Sequence, residues 1–193
     1  MDVPQSRPLV LASASPRRSE LLTSAGFTFS VEVADVDESP RDGENPRTYV
    51  LRVARAKAQA VAARCRDSGS VILAADTTVA IEGQILGKPE NELDAIRMVQ
   101  LLAGRVHDVF TGVVLLAGGR ESADVVPTRV RLLPMTMDEI LWYVKSGEPM
   151  GKAGAYGIQG RAARFVDWIE GSWSNVVGLP VATVYRLLRE AGA

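Results

Sequence analysis

The stretch Leu9-Val10-Leu11-Ala12-Ser13-Ala14-Ser15-Pro16-Arg17-Arg18-Ser19-Glu20-Leu21-Leu22 sets a strand directly against a helix. Its apolar opening has the unbroken hydrophobicity of a buried strand. Ser15 followed by Pro16 is an N-cap with proline at the first helical position, so a helix begins there. Arg17 and Arg18 then fall in its first turn, where the positive pole of the helix dipole disfavours them. An anion resolves the conflict. A strand closing in the small hydroxyl residues Ser13 and Ser15, a helix start with free N–H groups and two arginines together form a cradle for phosphate or carboxylate. The plainer alternative is a solvated helix start whose arginines contact nearby acids. The glycine spacings of the Walker loop and of the dinucleotide fingerprint are both missing.

At 193 residues the chain reads as a single domain, 1–193, large enough to bury about 70% of its unfolded surface. A hydrophobic fraction of 47% and a charged fraction of 23% are those of an ordinary globular protein. The formal net charge of -1 argues against a protein that grips nucleic acid backbone, which needs a basic excess. Cys65 is the single cysteine, which excludes an internal disulfide and a cysteine-rich metal site and fits a reducing compartment. His107, the single histidine, cannot supply a paired-histidine metal motif. A Ser-His-Asp hydrolase stays open as a minor alternative, disfavoured because there is no Gly-x-Ser-x-Gly elbow and His107 falls between a glycine and an apolar strand. No apolar run approaches the roughly 18 residues of a membrane span, and the residues before Leu9 lack a signal-peptide layout. The expectation is a cytoplasmic protein without membrane contact.

Further along, Gly26 terminates the first helix and residues 27–33 read as a short alternating strand. An acidic loop follows with Asp35, Asp37 and Glu38, either a cation site or a solvated loop. Asn45-Pro46 repeats the capping device and opens a helix running to about Arg66, with Leu51, Ala54, Ala58, Val61, Ala62 and Cys65 on one stripe. Lys57 lies at the border of that stripe, where its stem can cover apolar neighbours while the ammonium reaches either solvent or a cleft. Residues 71–81 form a strand buried on both faces, with Asp76 where open α/β sheets place ligands, beyond the carboxyl ends of strands. No helix pattern follows Asp76, so helix capping does not account for it. Glu82-Gly83 turns a hairpin whose return strand delivers Gly87-Lys88-Pro89 and holds Lys88 near the acid.

Asn91 and Asp94 open a helix with Leu93, Ile96, Val99, Leu102 and Ala103 as core, closed by Gly104. Two long strands, 106–116 and 122–133, meet at Gly118-Gly119, and Thr136-Met137-Asp138-Glu139 is a capping box for a helix ending at Gly147. The segment Gly151-Lys152-Ala153-Gly154-Ala155-Tyr156-Gly157-Ile158-Gln159-Gly160 carries glycine at every third residue, a spacing that suits neither helix nor strand. Glycine serves where backbone must approach a ligand or adopt positive φ, and the Gln159 amide can donate to and accept from one planar partner. A packed surface turn is the competing reading. Residues 163–170 read as a further strand, and 173–180 lead into a last helix with Val184, Leu187, Leu188 and Ala191 buried.

Taken in order, Leu11-Ala12-Ser13-Ala14-Ser15-Pro16-Arg17-Arg18, Ala75-Asp76-Thr77, Gly87-Lys88-Pro89, Lys152-Ala153-Gly154-Ala155-Tyr156-Gly157-Ile158-Gln159-Gly160 and Val177-Gly178-Leu179-Pro180 resemble the Maf family of nucleoside triphosphate pyrophosphatases. The resemblance spans nearly the whole chain. It implies an α/β fold with a mixed twisted sheet and flanking helices, elongated and two-lobed around a deep nucleotide cleft, similar to inosine triphosphate pyrophosphatases. It also implies a homodimer, a divalent metal such as Mg²⁺ or Mn²⁺, and hydrolysis between the α and β phosphates.

By the same resemblance Asp76 is the proton acceptor, and Arg17, Thr77 and Gln159 set substrate preference. Glu38, Lys57 and Lys88 match further active-site residues. Arginine, threonine and glutamine at the three preference positions are the set of the branch acting on dTTP and UTP. The branch acting on 7-methyl-GTP carries tryptophan, glutamine and glutamate there. Chemically, Arg17, Lys57 and Lys88 suit a polyphosphate, with Ser13 and Arg18 beside them and Glu38 and Asp76 as carboxylates for a metal; Asp76 either takes a proton from the attacking water or holds a metal that generates hydroxide, two roles the sequence leaves open. Gln159 suits the imide edge of uracil or thymine. Two alternatives stand beside this reading: the same cleavage on a modified nucleotide, and a nucleotide-binding regulator of cell division.

Overall fold

A computed structural model describes residues 7–65 and 69–193. Strand β1 (Leu9–Leu11) leads into helix α1 (Pro16–Ser24), then β2 (Ser30–Val31), helix α2 (Pro46–Ala62) and strands β3 (Val71–Ile81) and β4 (Gln84–Leu86). Helix α3 (Glu92–Leu102) precedes the long strands β5 (Val106–Ala117) and β6 (Arg120–Leu132). Helix α4 (Met137–Val144), strand β7 (Val166–Glu170) and helices α5 (Trp173–Val177) and α6 (Val181–Glu190) complete the chain. The strands form one seven-stranded mixed sheet in the order β2-β1-β3-β5-β6-β7, with β4 paired to β3. The fold is the α/β arrangement of mixed sheet and flanking helices expected above. Among the described residues no helix is long and apolar enough to cross a membrane.

The site is made by a fork in this sheet. One edge of β3 is covered throughout by antiparallel β5, with Val71 opposite Ala117 and Ala80 opposite Asp108. The other edge is shared. Parallel β1 takes Val71, Ile72 and Leu73, whereas antiparallel β4 takes Val79, Ala80 and Ile81. Among the described residues, therefore, no strand lies beside 74–78 on that edge, and Asp76 and Thr77 lie at the centre of the gap. Because strand side chains alternate, these two neighbours face opposite sides of the sheet and the gap opens both to one space.

Apolar burial holds the fork open. On one face, Ala54, Ala58 and Val61 of α2 pack on Ile72, Ala74 and Val114. On the other face two cores sit at opposite ends of the strands. One joins Leu73, Ala75, Val113 and Leu115 to α1 and α6. The second joins Val79, Ile81 and Val109 to α3 and α4. Between them lies a polar band of Thr77, Thr111 and Asn175, linked by bonds of 2.8 Å between the threonine hydroxyls and 3.3 Å from the Thr111 hydroxyl to the Asn175 carbonyl.

Several local expectations are corrected. Strand 27–33 shrinks to Ser30–Val31, because its partner β1 is only Leu9–Leu11, with Val10 and Leu11 in register with Ser30 and Val31. Helix α2 ends at Ala62, and Arg66 lies outside the described residues. Cys65 is half-buried beside the α2 core. Leu93 is 78% exposed, since Ala95, Met98, Val99 and Leu102 form the inner stripe of α3 and Leu93 precedes Ala95 by two residues on the opposite side. Ser15 occupies the N-cap position of α1, but its hydroxyl makes no capping bond; its N–H donates to Ser13 Oγ at 3.2 Å. The strand expected over 163–170 is split, with a 3₁₀ helix at Arg161–Phe165 ahead of β7. Asp76 sits mid-strand rather than at a strand end. It lies beyond the carboxyl end of β1 and not of β3.

Candidate active site

A cavity of about 890 Å³ occupies the fork. Its size is that of a small-molecule or nucleotide pocket. Glu38, Lys57, Asp76 and Lys88 border it on one side, Ser13, Arg17, Arg18 and Thr77 on another, and Gln159 at the Gly-rich segment.

Asp76 is 5% exposed, and its Oδ1 accepts a bond of 2.7 Å from Lys57 Nζ. The same ammonium lies 2.7 Å from Glu38 Oε1, so one buried cation bridges two carboxylates. Lys57 therefore turns inward to the cleft. Lys88, well exposed, approaches Glu38 Oε2 at 3.3 Å and makes no ion pair with Asp76. Burial pushes the Asp76 carboxyl above the ordinary aspartate value, outweighing the opposing pull of Lys57 and Arg18. For half-exposed Glu38, burial acts upward too, but the hydrogen bond and charge of Lys57, aided by Lys88, prevail and hold it below the usual value. Two neighbouring acids are thus pushed in opposite directions, a pattern typical of acid–base sites. Among the described residues Asp76 Oδ2 has no hydrogen-bond partner though it is buried, an arrangement that costs free energy unless a ligand or a proton meets it.

Helix α2 supplies more than Lys57. The Tyr49 hydroxyl donates to the Glu38 carbonyl at 2.9 Å, and Arg52 donates to the Ser39 carbonyl at 3.0 Å and to both Glu44 oxygens at 2.7 Å. These bonds fix the acidic loop to the helix, so Glu38 and Lys57 move together. Gly112, directly opposite Asp76 in β5, lets α2 come close; a Cβ there would lie 2.6 Å from the Val50 carbonyl oxygen. An isolated glycine inside an apolar strand is the sequence signal for such an approach.

On the other wall Arg18 is buried and donates to neutral groups: the Gly178 carbonyl at 2.8 Å, Ser13 Oγ at 3.0 Å and Thr77 Oγ1 at 3.1 Å. These three bonds join the turn after β1, strand β3 and the end of α5. Burial chiefly, and Arg17 in part, make this guanidinium less basic than an ordinary one, against the attraction of Asp76 and Glu38. Arg17 itself is half-exposed beside it. Lys152 joins the same wall; burial first and Arg17 second lower its basicity as well. A buried cation with neutral partners, next to two further cations, makes an anion-seeking surface.

The Gly-rich segment is ordered by specific contacts. Gly154 has φ 67° and its N–H donates to the Gly87 carbonyl at 3.1 Å, fastening the segment to the turn that carries Lys88. A Cβ on Gly154 would strike the Val79 side chain at 2.8 Å. The Tyr156 hydroxyl is 2.8 Å from His107 Nε2, so the lone histidine serves this segment and no serine nucleophile. Gln159 is exposed at the cavity. The sequence pattern does not mark Tyr49, Glu148 or Asn175 as site residues, whereas the isolated Gly112 carries a signal of close approach. Lys152 had a signal, since it sits inside the Gly-rich motif.

Among the described residues no group of three or more His, Cys, Asp or Glu side chains is arranged to hold a metal ion. Two carboxylates sharing one ammonium, one of them with an uncommitted buried oxygen, nevertheless fit a hard divalent cation. Such ions need few protein ligands when phosphate oxygens and water complete the shell.

The chain matches the family described as Maf-like protein over residues 8–191. It is 52% identical over 184 residues to a dTTP/UTP pyrophosphatase of Myxococcus xanthus, covering 95% of this chain and 92% of that one. A dTTP/UTP pyrophosphatase of Koribacter versatilis is 50% identical over 184 residues, with 95% and 94% covered. Among solved structures, the Ham1 protein of Staphylococcus aureus aligns with 65% of this chain and 72% of its own at 12% identity and a TM-score of 0.46. Relatives sharing half of their residues from end to end, and a family match that takes in every element from β1 to α6, make this chain a member of the Maf-like protein family.

Proposed function

We propose that the protein is a nucleoside triphosphate pyrophosphatase that hydrolyses dTTP and UTP to the nucleoside monophosphate and pyrophosphate. The observation that carries this reading is the uncommitted, buried Oδ2 of Asp76 in a nucleotide-sized cavity, across from Arg17, Arg18 and Lys152. The names of the relatives support the substrate pair. A water oxygen attacks the α phosphorus and the bond from that phosphorus to the bridging oxygen breaks, releasing pyrophosphate. Asp76 takes the proton that the water gives up, a role favoured by its raised pKa. Arg17, Arg18, Lys57 and Lys88 neutralise the polyphosphate, and Ser13 and Thr77 fix the Arg18 fork that faces it. Gln159 reads the imide edge of the base, and Arg17 and Thr77 complete the preference set.

Glu38 would hold Mg²⁺ or Mn²⁺, which when bound supplies charge neutralisation on phosphate oxygens; Asp76 joins it as a second carboxylate only in the alternative in which it is not the proton acceptor. One domain over 1–193, a homodimer and a cytoplasmic site of action complete the proposal; the homodimer rests on the family resemblance, the other two on the sequence. The test is pyrophosphate release from UTP by wild type and Asp76→Asn. Turnover falls by roughly 10²- to 10⁴-fold in a folded variant that still binds nucleotide. Near-normal turnover removes Asp76 from the chemistry.

A further inference from the structure

Glu148 follows the turn after α4 and borders the cavity, and among the described residues its carboxylate is in no ion pair. Its carboxylate faces backbone instead. Oε2 accepts the Arg161 N–H at 2.7 Å, while Oε1 accepts the Ala162 N–H at 3.3 Å and the Tyr143 hydroxyl at 3.2 Å. The Glu148 main-chain carbonyl separately accepts Lys152 Nζ. One residue thereby touches both halves of the cavity wall, the base-reading half through its side chain and the cationic half through its backbone.

The carboxylate accounts for one departure from the sequence pattern and bears on one glycine of the Gly-rich segment. A 3₁₀ helix replaces strand at Arg161–Phe165 because Glu148 satisfies its first N–H groups as a cap does. A Cβ on Gly160 would run into the same carboxylate, so a side chain there would push the Glu148 head group aside. Gln159 immediately precedes this pinned glycine, so the path of its backbone is set by Glu148. We propose that Glu148 is a positioning residue for base discrimination: through Gly160 and the Arg161 and Ala162 amides it holds Gln159 at the angle that distinguishes uracil from cytosine. The inference rests on the pyrimidine reading given above and assigns that reading a residue that need not touch the substrate.

Substituting the side chain leaves the carbonyl used by Lys152, so the polyphosphate half keeps its arrangement. Glu148→Gln puts an amide NH₂ group against N–H donors, which breaks at least one of the two backbone bonds. The experiment measures kcat and KM for UTP and for CTP in wild type, Glu148→Gln and Gly160→Ala, with melting temperature as a check of fold. The ratio of kcat/KM for UTP over CTP falls roughly tenfold in Glu148→Gln, chiefly through KM for UTP. Gly160→Ala displaces the carboxylate from the opposite side and lowers the same ratio. Added to Gln159→Ala, Glu148→Gln leaves the ratio where Gln159→Ala alone puts it.

An unchanged ratio in both folded variants, a loss confined to kcat, or a further fall on top of Gln159→Ala overturns the inference and leaves Glu148 a purely structural group. Failure of wild type to discriminate UTP from CTP overturns the underlying reading, and the inference with it. The two failures are distinguished by the wild-type measurement alone.

Discussion

Asp76 is held in an unusual balance, since Lys57 satisfies one of its oxygens while the other is sealed from water without a partner. A carboxylate so placed is stabilised by the ammonium but kept basic by burial. Lys57 is consequently the side chain on which the resting site depends most. Lys57→Met keeps the apolar stem and removes the charge, leaving Asp76 and Glu38 without their bridge. Breaking one partner of a buried pair costs about 3 kcal/mol of stability. Denaturant unfolding of Lys57→Met and of Lys57→Met with Asp76→Asn checks this: the double variant recovers part of the loss, because the uncompensated carboxylate is gone. Equal stability of the two would mean that Lys57 acts through packing alone. The border position of Lys57 on its helix was legible from periodicity. Its choice of cleft over solvent was not, because that depends on an acid nineteen positions away in sequence and on a neighbouring strand.

Helix α2 is the element that turns scattered acids into a site. Its Asn45 cap and Pro46 fix where it starts, and Tyr49 and Arg52 on successive turns seize the loop that carries Glu38. Glu44, gripped by both arms of Arg52, is drawn down to about 2 by that hydrogen bond. The helix reaches the sheet only because Gly112 lacks a side chain. Gly112→Ala therefore forces α2 outward, costing roughly 1 to 3 kcal/mol as overpacking does, and carries Lys57 away from Asp76. Thermal unfolding together with kcat/KM checks this, and both fall. A fully active, equally stable Gly112→Ala would show that the contact is slack. Caps, hairpin glycines and the Thr136 capping box were readable because they are local. The splitting of 163–170 was not, since the Glu148 carboxylate that induces the 3₁₀ helix comes from a distant segment.

At the scale of the molecule, one sheet carries an apolar core at each end of the same face, with the polar band and the cavity between. The motifs located both walls of that cavity in sequence. The fork that brings them together lay beyond sequence reading, because it follows from β1 and β4 sharing one edge of β3. His107 ties the β5 core to the Gly-rich wall through Tyr156 and is pushed from 6.5 down to about 4 by burial. Between those values the unfolded chain takes up a proton that the folded one refuses. Stability is therefore lost as pH falls from about 6.5 to about 4, by up to roughly 3 kcal/mol. Chemical denaturation across that window checks it, and His107→Gln flattens the slope. What the assembled cleft does is tested most directly by its products. Purified protein with Mg²⁺ or Mn²⁺ is given a panel of canonical and modified nucleoside triphosphates, and pyrophosphate and orthophosphate are assayed separately. Pyrophosphate with the monophosphate from dTTP and UTP, lost when the metal is chelated, is the expected result. Orthophosphate as the sole inorganic product, or no product from either nucleotide, would contradict it.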